Sequence, residues 1–308
     1  MNIGIITVRG HNFHPNRRLM EAADSKGHRI TLVHPYRVWG ALKGGEPTLL
    51  GKPGMESLDV VLPRQGATLG NACLLLIHHF SMMGIPLVNN LNSIRLAKNQ
   101  FLTLQTLTTA RVPVPDTALV NSVKGIENAL AWLDGFPVVV KRVSSRQGKG
   151  VMLVENNLDL ERATQNHLNK SNGLLVQRFI PTGGRRDVRV LIVGGKVVGS
   201  MELKPKQGDF RANYHLSGKS IEKKLSSVER DIALSAAAVV GLEIAGVDLI
   251  VDKNNQITVI EVNYSPGFRG LEKATGLDIA GRIVDHVLCK YAPLMERTKS
   301  ELFTKPSG

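Results

Sequence analysis

Residues 246–267 read GVDLIVDKNNQITVIEVNYSPG, two apolar strands joined by a short polar turn, and this stretch decides the fold. If residues 253–256 form the connecting loop, hairpin pairing places Asp248 directly opposite Glu261. Glu261 and Asn263 lie two residues apart on one strand, so their side chains project from the same face. Two carboxylates and an amide oxygen then meet at one point, and such oxygen ligands suit Mg²⁺ or Mn²⁺.

The same residues also have a purely structural interpretation. Asp248 could merely end a strand, and Glu261, which lies among apolar residues, could pair with an arginine. An ionised carboxylate in such a run needs a compensating partner in either case. For either residue alone the structural role is the simpler interpretation, but the joint spacing of Asp248, Glu261 and Asn263 favours a metal site.

A second signal is Lys141, which follows the apolar run PVVV at residues 137–140 and is therefore expected in a buried strand. A buried ammonium group is costly without an anion. The loop SSRQGKG at residues 144–150 comes next, and Gly148 and Gly150 allow its backbone N–H groups to approach a phosphate chain. The loop alone is also typical of a hairpin turn. It is not a P-loop, and no GxGxxG follows the first strand, which disfavours dinucleotide binding.

A third segment, GDFRAN at residues 208–213, lies in a long polar stretch between residues 204 and 224. Long loops of this kind usually carry function. Arg211 is suited to hold a γ-phosphate and Asn213 a phosphate oxygen or a metal-bound water. The alternative is a solvated loop with no role in binding.

Composition excludes several classes of protein. The chain has 308 residues, of which 43% are hydrophobic, and it carries a net charge of +13, so it is neither disordered nor collagen-like and favours an anionic substrate. Aromatic residues make up only 5% and the paired basic residues are scattered, which argues against a required nucleic-acid partner. No segment is suited to span a membrane or to act as a signal peptide, so we expect a cytoplasmic protein, with Cys73 and Cys289 as reduced structural thiols.

The order of strand and helix patterns predicts an α/β (α+β) fold with several units. Residues 1–96 alternate between strand and helix, which predicts a βαβ domain. A second unit begins near Ala97 and ends at residue 186, and a third follows over residues 187–293, beginning with a hairpin at Gly194–Gly195. The tail, residues 294–308, is expected to be loose.

In combination, these segments resemble the ATP-grasp superfamily and, more narrowly, the RimK-type α-L-glutamate ligases. The resemblance extends from the first strand to about residue 290. It is carried by Lys141 on its strand, the GKG loop at 148–150, QRFI at 177–180, Asp187, VLPRQG at 61–66, GDFRAN, AGVDLIV at 245–251, EVNYSPG at 261–267 and EKATGLDIAG at 272–281. It implies three subdomains, with ATP bound between the central and the C-terminal ones.

The resemblance also implies roles for single residues. Lys141 would contact the α- and β-phosphates, the backbone of Arg178 and Phe179 would meet the adenine, and Asp187 would approach the ribose. Lys141, Arg211 and Asn213 would act in catalysis. The metal ligands for two Mg²⁺ or Mn²⁺ ions would be Asp248, Glu261 and Asn263, and the full nucleotide site would comprise Lys141, Gly148, Gly150, Gln177, Arg178, Phe179, Ile180, Asp187, Arg211, Ala212 and Asn213.

Two positions depart from the family pattern. Family members usually have an acidic residue where Arg178 stands and a lysine where Gln100 stands. Arg178 cannot accept a hydrogen bond from an adenine amino group, so recognition of the base would rest on backbone or Gln177 contacts. Lys98 could replace the missing cation. Nucleotide preference is therefore less well defined than nucleotide binding.

The implied reaction is an ADP-forming ligation, in which the γ-phosphate of ATP activates a carboxylate and an amine attacks the acyl-phosphate. Arg64 is a candidate clamp for a substrate carboxylate or else a surface ion-pair partner. The turn at residues 265–267 could offer N–H groups to the acyl oxygen, and closure of the 144–150 loop would exclude water.

By resemblance, the substrates are L-glutamate and an acceptor carboxylate. The first hypothesis is the C-terminus of a protein, such as a small-subunit ribosomal protein, or a short glutamate chain. The second is a small-metabolite acceptor, either a pterin or deazaflavin cofactor or an amino-group carrier of lysine biosynthesis. The third is a catalytically silent ribosome- or RNA-binding relative. A homo-oligomer, either dimer or tetramer, is the family expectation.

Overall fold

The computed structural model describes residues 1–51, 53–64, 70–143, 150–204, 209–210 and 220–303, with only the backbone beyond residue 293. Within these residues the chain forms four β-sheets flanked by helices, in agreement with the predicted α/β (α+β) class. No described helix is both long enough and apolar enough to cross a membrane.

The N-terminal domain is built on a three-stranded parallel sheet of order β2–β1–β5. A separate hairpin, β3–β4, was not expected, although Gly44–Gly45 between two apolar-rich runs is a hairpin signal. Leu87, which follows the last helix of this domain, forms a single parallel bridge with Val61. The elements are β1 (Asn2–Ile6), α1 (His14–Asp24), β2 (Arg29–Val33), β3 (Val38–Lys43), β4 (Glu46–Gly51), β5 (Val60–Pro63) and α2 (Asn71–Met82).

Two helices follow where the sequence predicted one. They are α3 (Leu91–Lys98) and α4 (Gln100–Thr109), and they are separated by Asn99 in an extended conformation. The Asn99 side chain accepts hydrogen bonds from the backbone N–H groups of Phe101 and Leu102, which makes it the N-cap of α4. The capping bond therefore favours a break that the helical pattern alone did not reveal.

The central subdomain has an antiparallel sheet of order β6–β9–β7–β8. Its buried core is separate from the clusters that the rest of the chain forms. The strand β7 consists of three buried valines followed by Lys141 and Arg142. The elements are β6 (Thr117–Val120), α5 (Val123–Trp132), β7 (Val138–Arg142), β8 (Val151–Val154), α6 (Asn157–His167) and β9 (Leu174–Arg178).

The C-terminal subdomain has an antiparallel sheet of order β12–β11–β10–β13–β14. The predicted pairing of Asp248 with Glu261 is confirmed, but the predicted loop at residues 253–256 is wrong, because Asp252 N–H donates to the carbonyl of Gln256 and Val251 pairs with Ile257. A register shift between Asp248 and Leu249 brings Asp248 opposite Glu261. The elements are β10 (Arg186–Val193), β11 (Lys196–Leu203), β12 (Ser220–Glu222), α7 (Ser227–Val240), β13 (Ile244–Val251), β14 (Ile257–Asn263), α8 (Arg269–Thr275) and α9 (Ile279–Phe303).

The C-terminal sheet shares its apolar core with the N-terminal domain. A buried side chain, Asn89, connects the two parts. Its amide nitrogen donates to the carbonyls of Ile244 and Tyr264, and its oxygen accepts from the N–H groups of Glu243 and Ile244. These four bonds use both donor hydrogens of the Asn89 amide and both acceptor positions of its oxygen. Asn89 therefore fixes the N-terminal domain to the C-terminal subdomain at β13.

The expectation of a loose tail from residue 294 is wrong for the described part of that segment. Helix α9 continues through Pro293 to Phe303. Proline removes one helical N–H donor, but the helix here continues beyond it.

Candidate active site

A cleft of about 900 Å³ is lined by residues from the N-terminal domain and from both subdomains that follow it. Lys141 and Gln177 come from the central sheet, and Asp248, Glu261 and Asn263 come from the C-terminal sheet. The structure therefore brings Lys141 together with the three predicted metal ligands, whereas Gly150, also assigned to phosphate binding, is not among the residues that line the cleft.

The carboxylate Asp248 is held by an arginine that the sequence analysis missed. Arg189 lies opposite Asp248 on the neighbouring strand β10, and its Nε and Nη2 donate to the two carboxylate oxygens at 2.7 and 2.6 Å. Burial alone would lower the pKa of Arg189, but Asp248 and Glu261 raise it. The structural interpretation was thus right that an arginine is present, although it pairs with Asp248 rather than with Glu261.

Glu261 is open to the cleft yet closely surrounded by protein. Burial and the nearby Asp248 raise the pKa of the Glu261 carboxyl, while Arg189 and Lys141 act in the opposite direction. A hydrogen bond from Asn263 also favours the ionised form. Two carboxylates lie close together in the wall of the cleft, and their mutual repulsion favours a bound cation.

Lys141 is buried at the end of β7, as the sequence predicted, with 7% of its surface exposed. Its Nζ donates to the side-chain oxygen of Gln177 at 2.5 Å, and the amide of Gln177 donates in turn to Thr117. Burial lowers the pKa of Lys141 to about 8, with Arg185 adding to the shift and Glu261 opposing it. Its ammonium thus has a neutral hydrogen-bond partner and a carboxylate nearby, and an anion in the cleft would stabilise it further.

Asp187 lies in the cleft wall and is engaged by Arg185. The Arg185 guanidinium donates to both Asp187 oxygens at 3.1 and 3.3 Å, and to the carbonyl of Ile180 at 2.7 Å. It also donates to the carbonyl of Phe210. Burial raises the pKa of Asp187, and Arg185 partly offsets this. Arg185 therefore ties β10 to the segment after β9, a role that no local sequence pattern indicated.

The side chain of Arg178 is directed to two acidic residues. Nε donates to Asp116 at 2.7 Å and Nη2 to Asp134 at 3.2 Å, while Nη1 donates to the carbonyl of Leu133 at 3.2 Å. These bonds occupy the three nitrogens of the guanidinium, although Arg178, Phe179 and Ile180 all line the cleft. The guanidinium of Arg178 is therefore engaged by protein, and recognition of a ligand at this position is left to its backbone.

The second departure, Gln100, and its suggested replacement, Lys98, also lie at the cleft. Gln100 donates to the carbonyl of Ile260 on β14 at 3.4 Å, and Lys98 lines the same cleft.

Of the glycine loop at residues 144–150, Gly150 is described, with a φ of 78° that favours glycine. Gly148, Arg211, Ala212 and Asn213 lie outside the described residues, so their predicted roles stay predictions.

Arg64 and the turn after β14 lie in the same wall of the cleft. Nη2 of Arg64 donates to the carbonyl of Pro266 at 2.6 Å, and its guanidinium carbon lies 5.7 Å from the centroid of the Phe268 ring. Arg64 makes no ion pair with any described residue, which disfavours the surface ion pair considered above.

This fold and geometry can be compared with known proteins. A family model described as the RimK-like ATP-grasp domain matches residues 97–287, and one described as the RimK pre-ATP-grasp domain matches residues 1–94. The chain belongs to the RimK-like ATP-grasp family. The predicted resemblance, the ATP-grasp fold and the class of enzyme, an ATP-grasp ligase, are confirmed.

Individual relatives agree with the family assignment. A protein of Thioalkalivibrio sulfidiphilus named probable alpha-L-glutamate ligase is 36% identical over 303 residues, which cover 98% of this chain and 100% of that protein. The crystal structure of a RimK domain ATP-grasp protein from Sphaerobacter thermophilus has a TM-score of 0.75 and 25% identity, covering 94% of this chain and 100% of that one. The ATP-grasp ligase PsnB, complexed with a minimal precursor, Mg and ADP, shares the fold, with a TM-score of 0.68, 19% identity, and coverage of 94% and 96%.

The donor set of the C-terminal sheet fits a hard divalent cation. Among the described residues, no group of three histidine, cysteine, aspartate or glutamate side chains could hold a metal ion. A site here must therefore use the two carboxylates together with the amide oxygen of Asn263. All three are oxygen donors, which Mg²⁺ and Mn²⁺ prefer.

Proposed function

We propose that this chain is a glutamate ligase that uses ATP to join L-glutamate to an acceptor carboxylate, in the first instance the C-terminus of a protein. The observation that carries the proposal is the cleft in which Lys141 of one sheet and Asp248, Glu261 and Asn263 of another meet. The names of relatives that match nearly the whole chain support glutamate as the amine substrate. The precursor bound to PsnB supports a peptide acceptor in this fold.

The cationic residues bind and orient the triphosphate. Lys141 is protonated near neutral pH even though its pKa is lowered, so it can contact the α- and β-phosphates. Arg211 would neutralise charge on the transferred phosphoryl group, and Asn213 would hydrogen-bond to a phosphate oxygen or a metal-bound water. Because phosphoryl transfer needs little covalent help from the protein, positioning and charge neutralisation account for most of the catalysis.

The residues that would hold Mg²⁺ or Mn²⁺ are Asp248, Glu261 and Asn263, with two ions as the family expectation. When bound, the ions would neutralise phosphate charge and act as Lewis acids. Arg189 orients Asp248 through two hydrogen bonds and keeps its carboxylate in the cleft wall. We therefore assign Arg189 as a positioning residue.

The nucleotide base would be recognised by backbone groups of Arg178, Phe179 and Ile180, and Asp187 would approach the ribose. The Arg178 guanidinium is bound to Asp116 and Asp134, so it would not contact the base. The oxygen of Gln177 accepts from Lys141 and its nitrogen donates to Thr117, which leaves it little capacity for the adenine.

The experiment that tests the function is product analysis by mass spectrometry. The protein is incubated with ATP, Mg²⁺ and L-glutamate, with acceptors ranging from C-terminal peptides of ribosomal proteins to pterin or deazaflavin cofactors. We expect ADP, phosphate and an acceptor heavier by one or more glutamate residues. Formation of AMP would refute the acyl-phosphate route, and no nucleotide turnover with any acceptor would favour the silent binding protein.

Location and assembly complete the proposal. The absence of any described membrane-spanning helix is compatible with the cytoplasmic location that we expect. A homo-oligomer and independence from nucleic acid are likewise parts of the proposal, and size-exclusion chromatography with light scattering tests the oligomeric state.

A further inference from the structure

One wall of the cleft carries arginines that no acidic residue neutralises. Arg9, Arg64 and Arg269 all line the cleft, and within the described part of the chain none of them forms an ion pair. The acidic side chains in this region are already engaged, because Arg18 binds Glu21, Glu272 and Asp278. The wall therefore has an excess of positive charge.

Arg64 has a buried donor without a partner. Its Nη2 is bound to the carbonyl of Pro266, whereas Nη1 is buried and forms no hydrogen bond with any described residue. Burial lowers its pKa to about 10, so the guanidinium stays charged at neutral pH. A buried charged donor without an acceptor is costly, and natural structures rarely keep one without a reason.

A second buried polar atom without a hydrogen-bond partner among the described residues belongs to His14, which packs against the same Phe268 ring as Arg64. The His14 ring meets Phe268 edge-on with 5.9 Å between centroids, and Arg64 lies against the same ring. His14 Nε2 lies 3.3 Å from Glu272, but its buried Nδ1 has no hydrogen-bond partner among the described residues. With the Nε2–H of His14 directed at Glu272, its Nδ1 is an acceptor, so it is the unpartnered Arg64 donor that indicates a missing anionic ligand at this wall.

The chemistry of the wall indicates a carboxylate. The guanidinium fork matches a planar carboxylate, and Arg64 lies at the turn that directly follows Glu261 and Asn263. The phosphates of a nucleotide already have Lys141 and the proposed metal ligands. The remaining anions in the proposed reaction are the carboxylates of glutamate and of the acceptor that do not react.

We propose that Arg64 and Arg269 bind a substrate carboxylate that takes no part in bond formation, so that the enzyme selects substrates with more than one carboxylate. This inference rests on the proposed ligase function and deepens it. The carboxylate belongs either to the incoming glutamate or to an acidic acceptor, and the chemistry of recognition is the same for both.

Calorimetric titration separates the two sources. The variants are Arg64→Gln and Arg269→Gln, with Arg230→Gln, which replaces an exposed arginine on α7, as the matched control. Each protein, with Mg·ADP present, is titrated with L-glutamate, L-glutamine and a peptide that ends in three glutamates. We expect wild type and the control to bind at least one acidic ligand, and the two cleft variants to bind it roughly 10- to 100-fold more weakly.

The ligand whose affinity falls identifies the source of the carboxylate. On this proposal the arginines bind a carboxylate rather than a phosphate, so the affinity for ADP should stay within about threefold of wild type in the cleft variants. Unchanged affinity for both acidic ligands would overturn the inference, as would a selective loss of ADP binding. If Arg64→Gln does not fold, Arg269→Gln, at an exposed position, provides the same test.

The carboxylate site and the ligase function can be refuted separately, because the binding titration does not depend on the ligase assay. If wild type forms no amide product but its binding of acidic ligands still depends on Arg64 and Arg269, the proposed function fails and the carboxylate site stands. If wild type forms product while the cleft variants keep wild-type KM values for glutamate and for acceptor, the function stands and the carboxylate site is refuted.

Discussion

Two β-sheets line the cleft, and they carry charge in different ways. On the C-terminal side, two arginines that line the cleft are bound to carboxylates, Arg189 to Asp248 and Arg185 to Asp187. In the central sheet, Lys141 is buried with a neutral amide, Gln177, as its hydrogen-bond partner. The paired side is suited to hold a metal in fixed geometry, whereas the lysine side is suited to receive the negative charge of a ligand.

The sheets also differ in how they are anchored. The C-terminal sheet shares its core with the N-terminal domain, and the buried Asn89 bonds the two together. The central sheet has a core of its own. The two walls of the cleft are therefore separately packed, and changes in one should have different consequences from changes in the other.

We expect the largest effect on stability from a substitution in the C-terminal sheet, where Arg189 is bound to Asp248. Arg189→Gln leaves Asp248 and Glu261 without their main cation, and removing one partner of a buried pair costs about 3–5 kcal/mol of unfolding free energy. Denaturant unfolding of this variant and of Arg162→Gln, which breaks an exposed pair with Asp159, measures the contrast. A double variant that adds Asp248→Asn should recover part of the stability. Equal free energies of unfolding for Arg189→Gln and wild type would show that the Arg189–Asp248 pair does not stabilise the fold.

For a substitution of Lys141 in the central sheet, we expect the free energy of unfolding to change in the opposite direction. Lys141→Met removes a charge whose pKa is lowered from 10.5 to about 8, so at neutral pH the free energy of unfolding should rise by roughly 1–3 kcal/mol. Nucleotide affinity should fall about 100-fold, because a charge-assisted contact to phosphate is lost. Thermal unfolding and calorimetric titration with ADP measure both, with Lys124→Met on the exposed face of α5 as control. If Lys141→Met were much less stable than wild type and yet bound ADP normally, Lys141 would have a structural role and not a phosphate-binding one.

The titration of Lys141 gives a pH dependence. Because only the protonated lysine attracts phosphate, nucleotide affinity should fall by about tenfold per pH unit above pH 8. The unfolded chain binds more protons than the folded one between pH 8 and 10.5, so the stability contributed by this group should rise over the same window. In Lys141→Arg the decline in affinity should disappear, since arginine stays charged; an unchanged decline would assign it to another group.

The smallest effect is expected at Arg178. Its guanidinium is bound to Asp116, Asp134 and the carbonyl of Leu133, so Arg178→Ala should change the affinity for ADP by less than about threefold. Competition between ATP and GTP in a binding assay should also be unchanged. A large loss of affinity or a change of base preference would show that the side chain turns into the cleft.

The sequence predicted correctly that Asp248 and Glu261 are paired, but the predicted loop at residues 253–256 does not account for the pairing. Val251 pairs with Ile257, and this register alone would place Asp248 opposite Ile260; the register shift between Asp248 and Leu249 brings it opposite Glu261. The burial of Lys141 was predictable because three valines precede it on one strand. The burial signal is local, whereas no spacing along the chain indicated the register shift.

The residues that were missed depend on pairing between distant segments. Arg189 meets Asp248 only because β10 pairs with β13, and no pattern near either residue shows that register. Arg185 is an exception, because its partners Asp187 and Ile180 lie only two and five residues away and, of the hydrogen bonds described above, only the one to Phe210 is distant along the chain. The break at Asn99 was detectable in principle, because an asparagine before a helical run is a capping signal.

The central claim is that Glu261, with Asp248 and Asn263, holds a divalent ion at the nucleotide. Electron paramagnetic resonance of Mn²⁺, titrated with and without ADP, tests it directly in wild type, in Glu261→Gln and in the exposed control Glu127→Gln. The account predicts that wild type and the control bind Mn²⁺ with ADP, and that Glu261→Gln binds it at least about tenfold more weakly while remaining folded. Wild-type Mn²⁺ binding by Glu261→Gln would contradict it.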